Sequence, residues 1–242
     1  MRLECFFSIL GAFLFLVFIN DSTTFLPETR VLYADGTNIF VESVTDLFTK
    51  ANNVLYQYAT WLCVNKLVPN IDKTCFVVFR PHQKQLQLER QVLSFSSNIL
   101  KRVSSVKFLG AVQHEDLRWS EHINFVRSKI ASGLYALAKL KVLFPINVLL
   151  AVYYALIRPH NSYALEVYGH TYRNNLDCLL MSQKRALRLI LSLHLQESVS
   201  FAFPLLCVQD VHGLVKFKIA ILMYKFCKSL LLHDNIATFQ LF

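Results

Sequence analysis

Residues Val31–Phe40 read VLYADGTNIF. An apolar run climbs to Asp35-Gly36, and a second run rich in β-branched and apolar residues follows. Two short strands joined by a tight turn have this pattern, with Asp-Gly in the slot that favours positive φ. A hairpin that holds a metal ion at its tip would also present an acidic residue there. The flanking segments have to separate the plain turn from the catalytic one.

Upstream, Phe6 to Ile19 is nearly all apolar and follows Arg2. Such a run fits a signal-peptide core or a short anchor, and equally a buried helix of a globular domain. Glu4 spoils a basic start, and no small-x-small cleavage site follows. A polar loop containing Pro27 separates this run from the hairpin. Downstream, Val44, Leu47, Phe48, Ala51, Leu55, Tyr58, Ala59 and Leu62 recur at helical spacing, with Ser43 and Asp46 as a candidate cap. Asn65-Lys66 and Pro69-Asn70 break that helix. Thr74 to Phe79 then reads as a strand. Pro81 to Ser105 is polar, carries Lys84, Glu89, Arg90, Lys101 and Arg102, and has room for one short strand. Val106 to Val112 reads as another strand, stopped by His114-Glu115-Asp116.

From Trp119 the period turns helical. Ile123, Val126, Ile130, Leu134 and Leu137 form one stripe, and Val148 to Ile157 is apolar all round and halts at Pro159, as a buried helix would. Leu176 to Leu193 and Leu214 to Leu232 predict two more helices. The composition change near Trp119 divides the chain into 1–118, of mixed strands and helices, and 119–242, helical. The fold class is therefore α+β.

At 242 residues, 54% hydrophobic and 17% charged, the chain is long and apolar enough to bury a core and is not a disordered segment. Its formal charge of +9 suits an anionic partner, nucleic acid above all, although solvated lysines alone explain such a charge equally well. The six cysteines (Cys5, Cys63, Cys75, Cys178, Cys207 and Cys227) form no C-x-x-C pair, and no two histidines stand at i, i+4. Structural zinc has no support, and reduced, buried thiols fit better than a disulfide framework.

The order of segments resembles the carboxy-terminal part of a non-LTR (LINE-type) retrotransposon reverse transcriptase. Tyr33-Ala34-Asp35-Gly36 is similar to the Y-A-D-D box of that family. Ser8 to Ala12 and Phe18 to Asp21 resemble the segment before it, although Phe6-Phe7 and Ala12 depart from the family pattern. Trp61, Asn65-Lys66-Leu67, Asn70 and Lys73-Thr74 match its W…N-K-L…N…K-T signature. Lys107-Phe108-Leu109-Gly110 sits where the family has a primer-grip hairpin. Leu117, Trp119, His122-Ile123, then Gln183 to Arg188, then Met223-Tyr224-Lys225, resemble later blocks.

The resemblance implies a partial palm over 1–118 and a helical thumb with its extension over 119–242. Ile9 to Ile19 would then be a palm helix without its upstream partner. It further implies an RNA or DNA template–primer as partner, Mg²⁺ as the metal, and no small-molecule cofactor. Nucleotidyl transfer needs two Mg²⁺ ions held by hard carboxylate oxygens. Asp35 aligns with the first box carboxylate and Gly36 replaces the second. The family's other carboxylate lies on a strand that would precede Met1. One aspartate cannot fix two divalent cations, so Asp35 is a degenerate Mg²⁺ ligand and the expectation is a catalytically inactive reverse-transcriptase fragment with residual nucleic-acid binding.

Lys73 takes, by resemblance, the place of a residue that assists the pyrophosphate leaving group; its ordinary reading is a solvated lysine after a turn. Phe108, Leu109 and Gly110 would position a primer end, and are otherwise a buried strand with a bulge. Arg127, Lys129, Lys139, Lys141, Lys184, Arg185 and Arg188 are the candidate phosphate contacts along the helices. Trp61 is expected in the core. The alternative function is a small secreted or membrane-anchored protein with Phe6–Ile19 as signal or anchor; a membrane role and secretion are disfavoured against an intracellular (nuclear or cytoplasmic) location.

Overall fold

The computed structural model describes residues 9–20, 29–34, 36–81, 83, 91–194, 196–228 and 230. The chain is α+β and separates into two compact units, Met1–Val103 and Ser104–Phe242. The division falls before the hairpin that precedes Trp119, so that hairpin belongs with the helices.

In the first unit, α1 (Ile9–Asn20) is followed by β1 (Arg30–Tyr33) and β2 (Gly36–Ile39). The buried-helix expectation for α1 is not met: Ile19 is buried and Phe15 packs beside it, but Phe13, Leu14, Leu16, Val17 and Phe18 are exposed. Among the described residues, the flank of this short helix that carries Phe15 and Ile19 is the one that rests on the core. No helix among the described residues is long and apolar enough to cross a membrane. Phe6–Phe7, Ser8 and the loop around Pro27 lie outside the described residues.

Strands β1 and β2 pair antiparallel with Tyr33 opposite Gly36, so the turn begins at Ala34. This corrects the Asp-Gly turn: Gly36 already belongs to β2, and the left-handed backbone falls on Ala34, at φ 53°. The Tyr58 hydroxyl lies 2.9 Å from Thr37 Oγ1, which holds β2 to the helix behind it. Asp35 itself lies outside the described residues.

That helix, α2 (Leu47–Val64), buries Ala51, Val54, Tyr58, Trp61 and Leu62, the face that the helical spacing predicts. Trp61 is in the core, its ring parallel to Tyr58 at 5.9 Å. The Ser43–Asp46 cap takes another form: Ser43 Oγ accepts from the Asp46 backbone N–H one turn early, and the helix begins after Asp46. Val44 is consequently fully exposed rather than part of the stripe. Asn52 reaches across to the Ser94 N–H and the Val92 carbonyl, and so brings Leu93, Phe95 and Leu100 into the same core.

The Thr74–Phe79 strand shrinks to β3 (Cys75–Phe76), parallel to β6 (Lys101–Arg102). The polar stretch expected to hold one strand has three short ones among its described residues, because β4 (Ser94–Phe95) and β5 (Asn98–Ile99) fold back at Ser96-Ser97, both at positive φ. Lys84, Glu89 and Arg90 lie outside the described residues.

The second unit opens with β7 (Ser105–Phe108) and β8 (Ala111–His114), an antiparallel hairpin. Helices follow: α3 (Ser120–Leu140), α4 (Ile146–Leu156), α5 (Arg158–Ser162), α6 (Leu165–Tyr168), α7 (Arg173–Ile190), α8 (Ala202–Leu205) and α9 (Val211–Cys227). Ile123, Val126, Ile130, Leu134 and Leu137 of α3 join Leu176, Leu179, Ala186, Leu187 and Ile190 of α7 in one core. Burying side chains of this size contributes about 1.5–3 kcal/mol each.

Gln183, fully buried on α7, ties three segments together. Its Nε2 donates to Tyr153 Oη at 2.9 Å and to the Gln209 carbonyl at 2.8 Å, and its Oε1 accepts from the Val211 N–H at 3.1 Å. The apolar run in α4 is not buried all round: Leu149 and Tyr153 face the core, while Ile146, Val148, Tyr154 and Leu156 are exposed. The expectation of buried thiols is not met among the described cysteines; Cys5 lies outside the described residues. Cys63, Cys75, Cys207 and Cys227 are exposed and Cys178 is half-buried, all of them free.

Candidate functional site

The Val106–Val112 strand of the sequence reading is two strands, because Leu109 and Gly110 turn the chain at φ 44° and 81°. Two successive positive-φ residues make the mirror-image turn whose twist matches the flanking strands. Glycine suits the second position for another reason besides: a Cβ on Gly110 would stand 3.1 Å from Tyr163 Cε1. The Tyr163 hydroxyl donates to the Leu109 carbonyl, so the ring is pinned over the turn.

The hairpin is fastened to the start of α3. Val112, opposite Lys107 in the ladder, donates its N–H to His122 Nδ1 at 3.2 Å, and Ala111 is buried in the helical core. Burial holds the His122 imidazole below its ordinary pKa, so the neutral ring accepts at Nδ1 and carries its proton on Nε2. That Nε2 is buried and has no hydrogen-bond partner among the described residues. The ring instead meets Tyr168 edge-on at 4.5 Å, with Trp119 at 6.0 Å. Burial pushes the Tyr168 hydroxyl far above its usual range.

At the base of the hairpin, Asp116 lies 2.6 Å from His114 and 3.5 Å from Arg118. Burial would raise its carboxyl. The hydrogen bonds from His114 and the Arg118 backbone, with both positive charges, outweigh burial and leave it below the usual value.

Lys107 leaves β7 on its exposed side, with its ammonium 4.9 Å from the Phe125 ring centroid. Lys129, one helical turn beyond Phe125, places its own ammonium 5.5 Å from the same ring. Cation–π contacts of this kind hold a flexible lysine at a defined place. Arg127, two residues from either, points to another side of α3, since residues i and i+2 do not share a helix face. Lys139 stands over the exposed Tyr135 ring at 5.6 Å, and Lys141 is exposed just past the helix.

The remaining candidates are elsewhere. Arg185 is exposed on α7. Lys184 lines an open groove of about 740 Å³ with Leu180, Phe203 and Asp210. Arg188 donates from Nε and Nη2 to the Glu197 carbonyl at 3.2 and 3.1 Å, so its guanidinium closes a loop. Lys73 lies in the first unit, exposed at the end of a 3₁₀ turn (Ile71–Lys73), where Asn70 Oδ1 accepts from its backbone N–H. Asn65 likewise bonds the Trp61 carbonyl at 2.9 Å. The spacing of residues from Trp61 to Lys73 thus has a local use, ending one helix and shaping the next turn.

The structure therefore joins Phe108, Leu109, Gly110 and Lys129 in one place and leaves the α7 cations on another helix. Lys107, Phe125, His122 and Tyr163 are the members that the sequence reading did not select. Lys107 and His122 stood inside quoted motifs; Phe125 and Tyr163 needed the hairpin's position on α3. No group of three or more His, Cys, Asp or Glu among the described residues is placed to hold a metal ion. Gly36 offers no side-chain ligand, and the other box position, Asp35, lies outside the described residues.

Comparison with known proteins adds one similarity. The chain is 25% identical over 200 residues to the RNA-directed DNA polymerase from mobile element jockey of Drosophila melanogaster, a match that covers 76% of this chain and 21% of that protein. The similarity is to a reverse transcriptase. The chain spans about a fifth of the length of this relative. No family model matches the sequence, and no solved structure matches it.

Proposed function

We propose that the chain is a palm-and-thumb segment derived from a mobile-element reverse transcriptase, inactive as a polymerase by itself and retaining affinity for nucleic acid. The observation that carries this reading is the Leu109–Gly110 hairpin fastened to a lysine-bearing helix through Val112 and His122. The similarity to the jockey polymerase supports the descent, and the order of motifs, from the box at Tyr33 to the block at Gln183, supports the palm and thumb assignment. Gly36 in place of a second box carboxylate supports the loss of polymerase chemistry.

Backbone phosphates are the expected contacts of such a surface, since a lysine ammonium is a point charge that pairs with any phosphate along a strand. Affinity should be sequence-independent and fall steeply with salt. The test is a titration of a labelled RNA–DNA template–primer duplex at several salt concentrations, with primer extension in Mg²⁺ or Mn²⁺ alongside. Salt-sensitive binding without extension is expected. Absent binding removes the nucleic-acid reading, and robust nucleotide incorporation removes the claim of inactivity.

A further inference from the structure

We propose that Lys107 and Lys129, both held on the Phe125 ring, grip a single backbone phosphate of the bound nucleic acid. This deepens the nucleic-acid reading above and rests on it.

The two ammonium groups lie 4.9 and 5.5 Å from one ring centroid. Neither has a carboxylate partner among the described residues, whereas Lys218 on α9 is paired with Glu166 at 3.0 Å. Two like charges gathered at one ring repel each other, and an anion between them relieves that repulsion. A phosphodiester group accepts from two ammonium groups at once and carries the negative charge that offsets their repulsion, which an uncharged base edge does not.

The grip is built on fixed parts. Phe125 is half-buried against the helical core. Lys107 pairs with Val112, whose N–H is bonded to His122 three residues before Phe125. The ladder and the helix therefore fix the backbone positions from which both lysines reach the ring before any ligand arrives, and less side-chain freedom is lost on binding.

One shared phosphate makes a numerical prediction. Each phosphate neutralised contributes about 0.9 to the slope of log affinity against log salt on duplex DNA. Two independent contacts would together contribute about 1.8, and a shared one only about 0.9. The experiment titrates the full chain with a fluorescein-labelled DNA duplex from low to moderate salt. It compares wild type, Lys107→Gln, Lys129→Gln and the double variant, with Lys50→Gln in the first unit as control. Thermal melts check that the exposed-lysine variants remain folded.

The expected double variant has a slope about 0.9 shallower than wild type, so a fourfold rise in salt weakens it roughly 3-fold less. Lys50→Gln should match wild type. A double-variant slope about 1.8 shallower overturns the shared phosphate, and an unchanged slope overturns the site while the nucleic-acid reading stands. No duplex binding by wild type at low salt defeats that underlying reading instead. Vesicles containing phosphatidylserine form a separate arm: lysine-dependent binding to them without duplex binding assigns the pair to a lipid headgroup and overturns the proposal.

Discussion

Replacing Gly110 with alanine strikes the point where the hairpin and the helices meet. The residue sits at φ 81°, where an L side chain costs about 1–2 kcal/mol. The new Cβ would also stand 3.1 Å from Tyr163 Cε1. That ring cannot move aside without straining its hydrogen bond to the Leu109 carbonyl, which is worth about 0.5–1.5 kcal/mol. The two effects together predict a loss of about 2–3 kcal/mol and a fall in Tm of roughly 5–10 °C for the helical unit. Gly36→Ala is the internal comparison. Gly36 has no positive φ, and its Cβ would meet only the Tyr33 carbonyl at 3.3 Å, so the change should stay within about 1 kcal/mol. Urea unfolding followed by Trp119 fluorescence in a Trp61→Phe background reads the second unit for Gly110→Ala, and Trp61 fluorescence in a Trp119→Phe background reads the first unit for Gly36→Ala. Adding Tyr163→Phe should recover part of the Gly110→Ala loss, because the freed ring can yield. A Gly110→Ala loss no larger than that of Gly36→Ala would refute the reasoning.

Gln183→Leu should cost about 3–5 kcal/mol, since it strands the buried Val211 N–H and Gln209 carbonyl; urea unfolding measures it. Arg188→Lys should lower stability by about 1 kcal/mol through the loop at Glu197 and leave duplex affinity within twofold (about 0.4 kcal/mol), checked by melting and by titration. The folded-state pKa of His122 lies below its unfolded value of 6.5, so the unfolded chain takes up the proton first. Stability should be complete above about pH 6.5 and decline as the pH falls below it, and His122→Gln should flatten that part of a Tm-against-pH curve. Asp116 acts in a lower window, with its contribution present above 3.8 and lost as pH falls beneath it.

Much of the fold was legible because long amphipathic helices announce themselves. The α2 and α3 stripes carry their apolar residues at the spacing a buried face requires, and both faces are buried in the structure. The short elements were harder. Val106 to Val112 is continuously β-like in composition, and only positive φ at Leu109 and Gly110, which no alternation of polarity encodes, splits it into a hairpin. The turn in VLYADGTNIF shifted by one residue for a similar reason: Gly36 is drawn into the ladder opposite Tyr33, and Ala34 takes the unusual backbone. Apolar content misled for α1 and α4, where exposure depends on which neighbour is available to cover each flank. The candidate site was half legible. Phe108, Leu109, Gly110 and Lys129 could be selected by motif and charge. Phe125 looks like an ordinary helix residue, and Tyr163 like an ordinary residue just past a short helix, until the hairpin is laid against them.

Photo-crosslinking of a 4-thiouridine- or 5-iododeoxyuridine-substituted duplex to the full chain, with peptide mapping, addresses the nucleic-acid surface most directly. Crosslinks confined to the β7–β8 hairpin and the first half of α3, residues 105–132, are the expected result. Crosslinks concentrated on α7 around Lys184 and Arg185, or none above background at low salt, would contradict it.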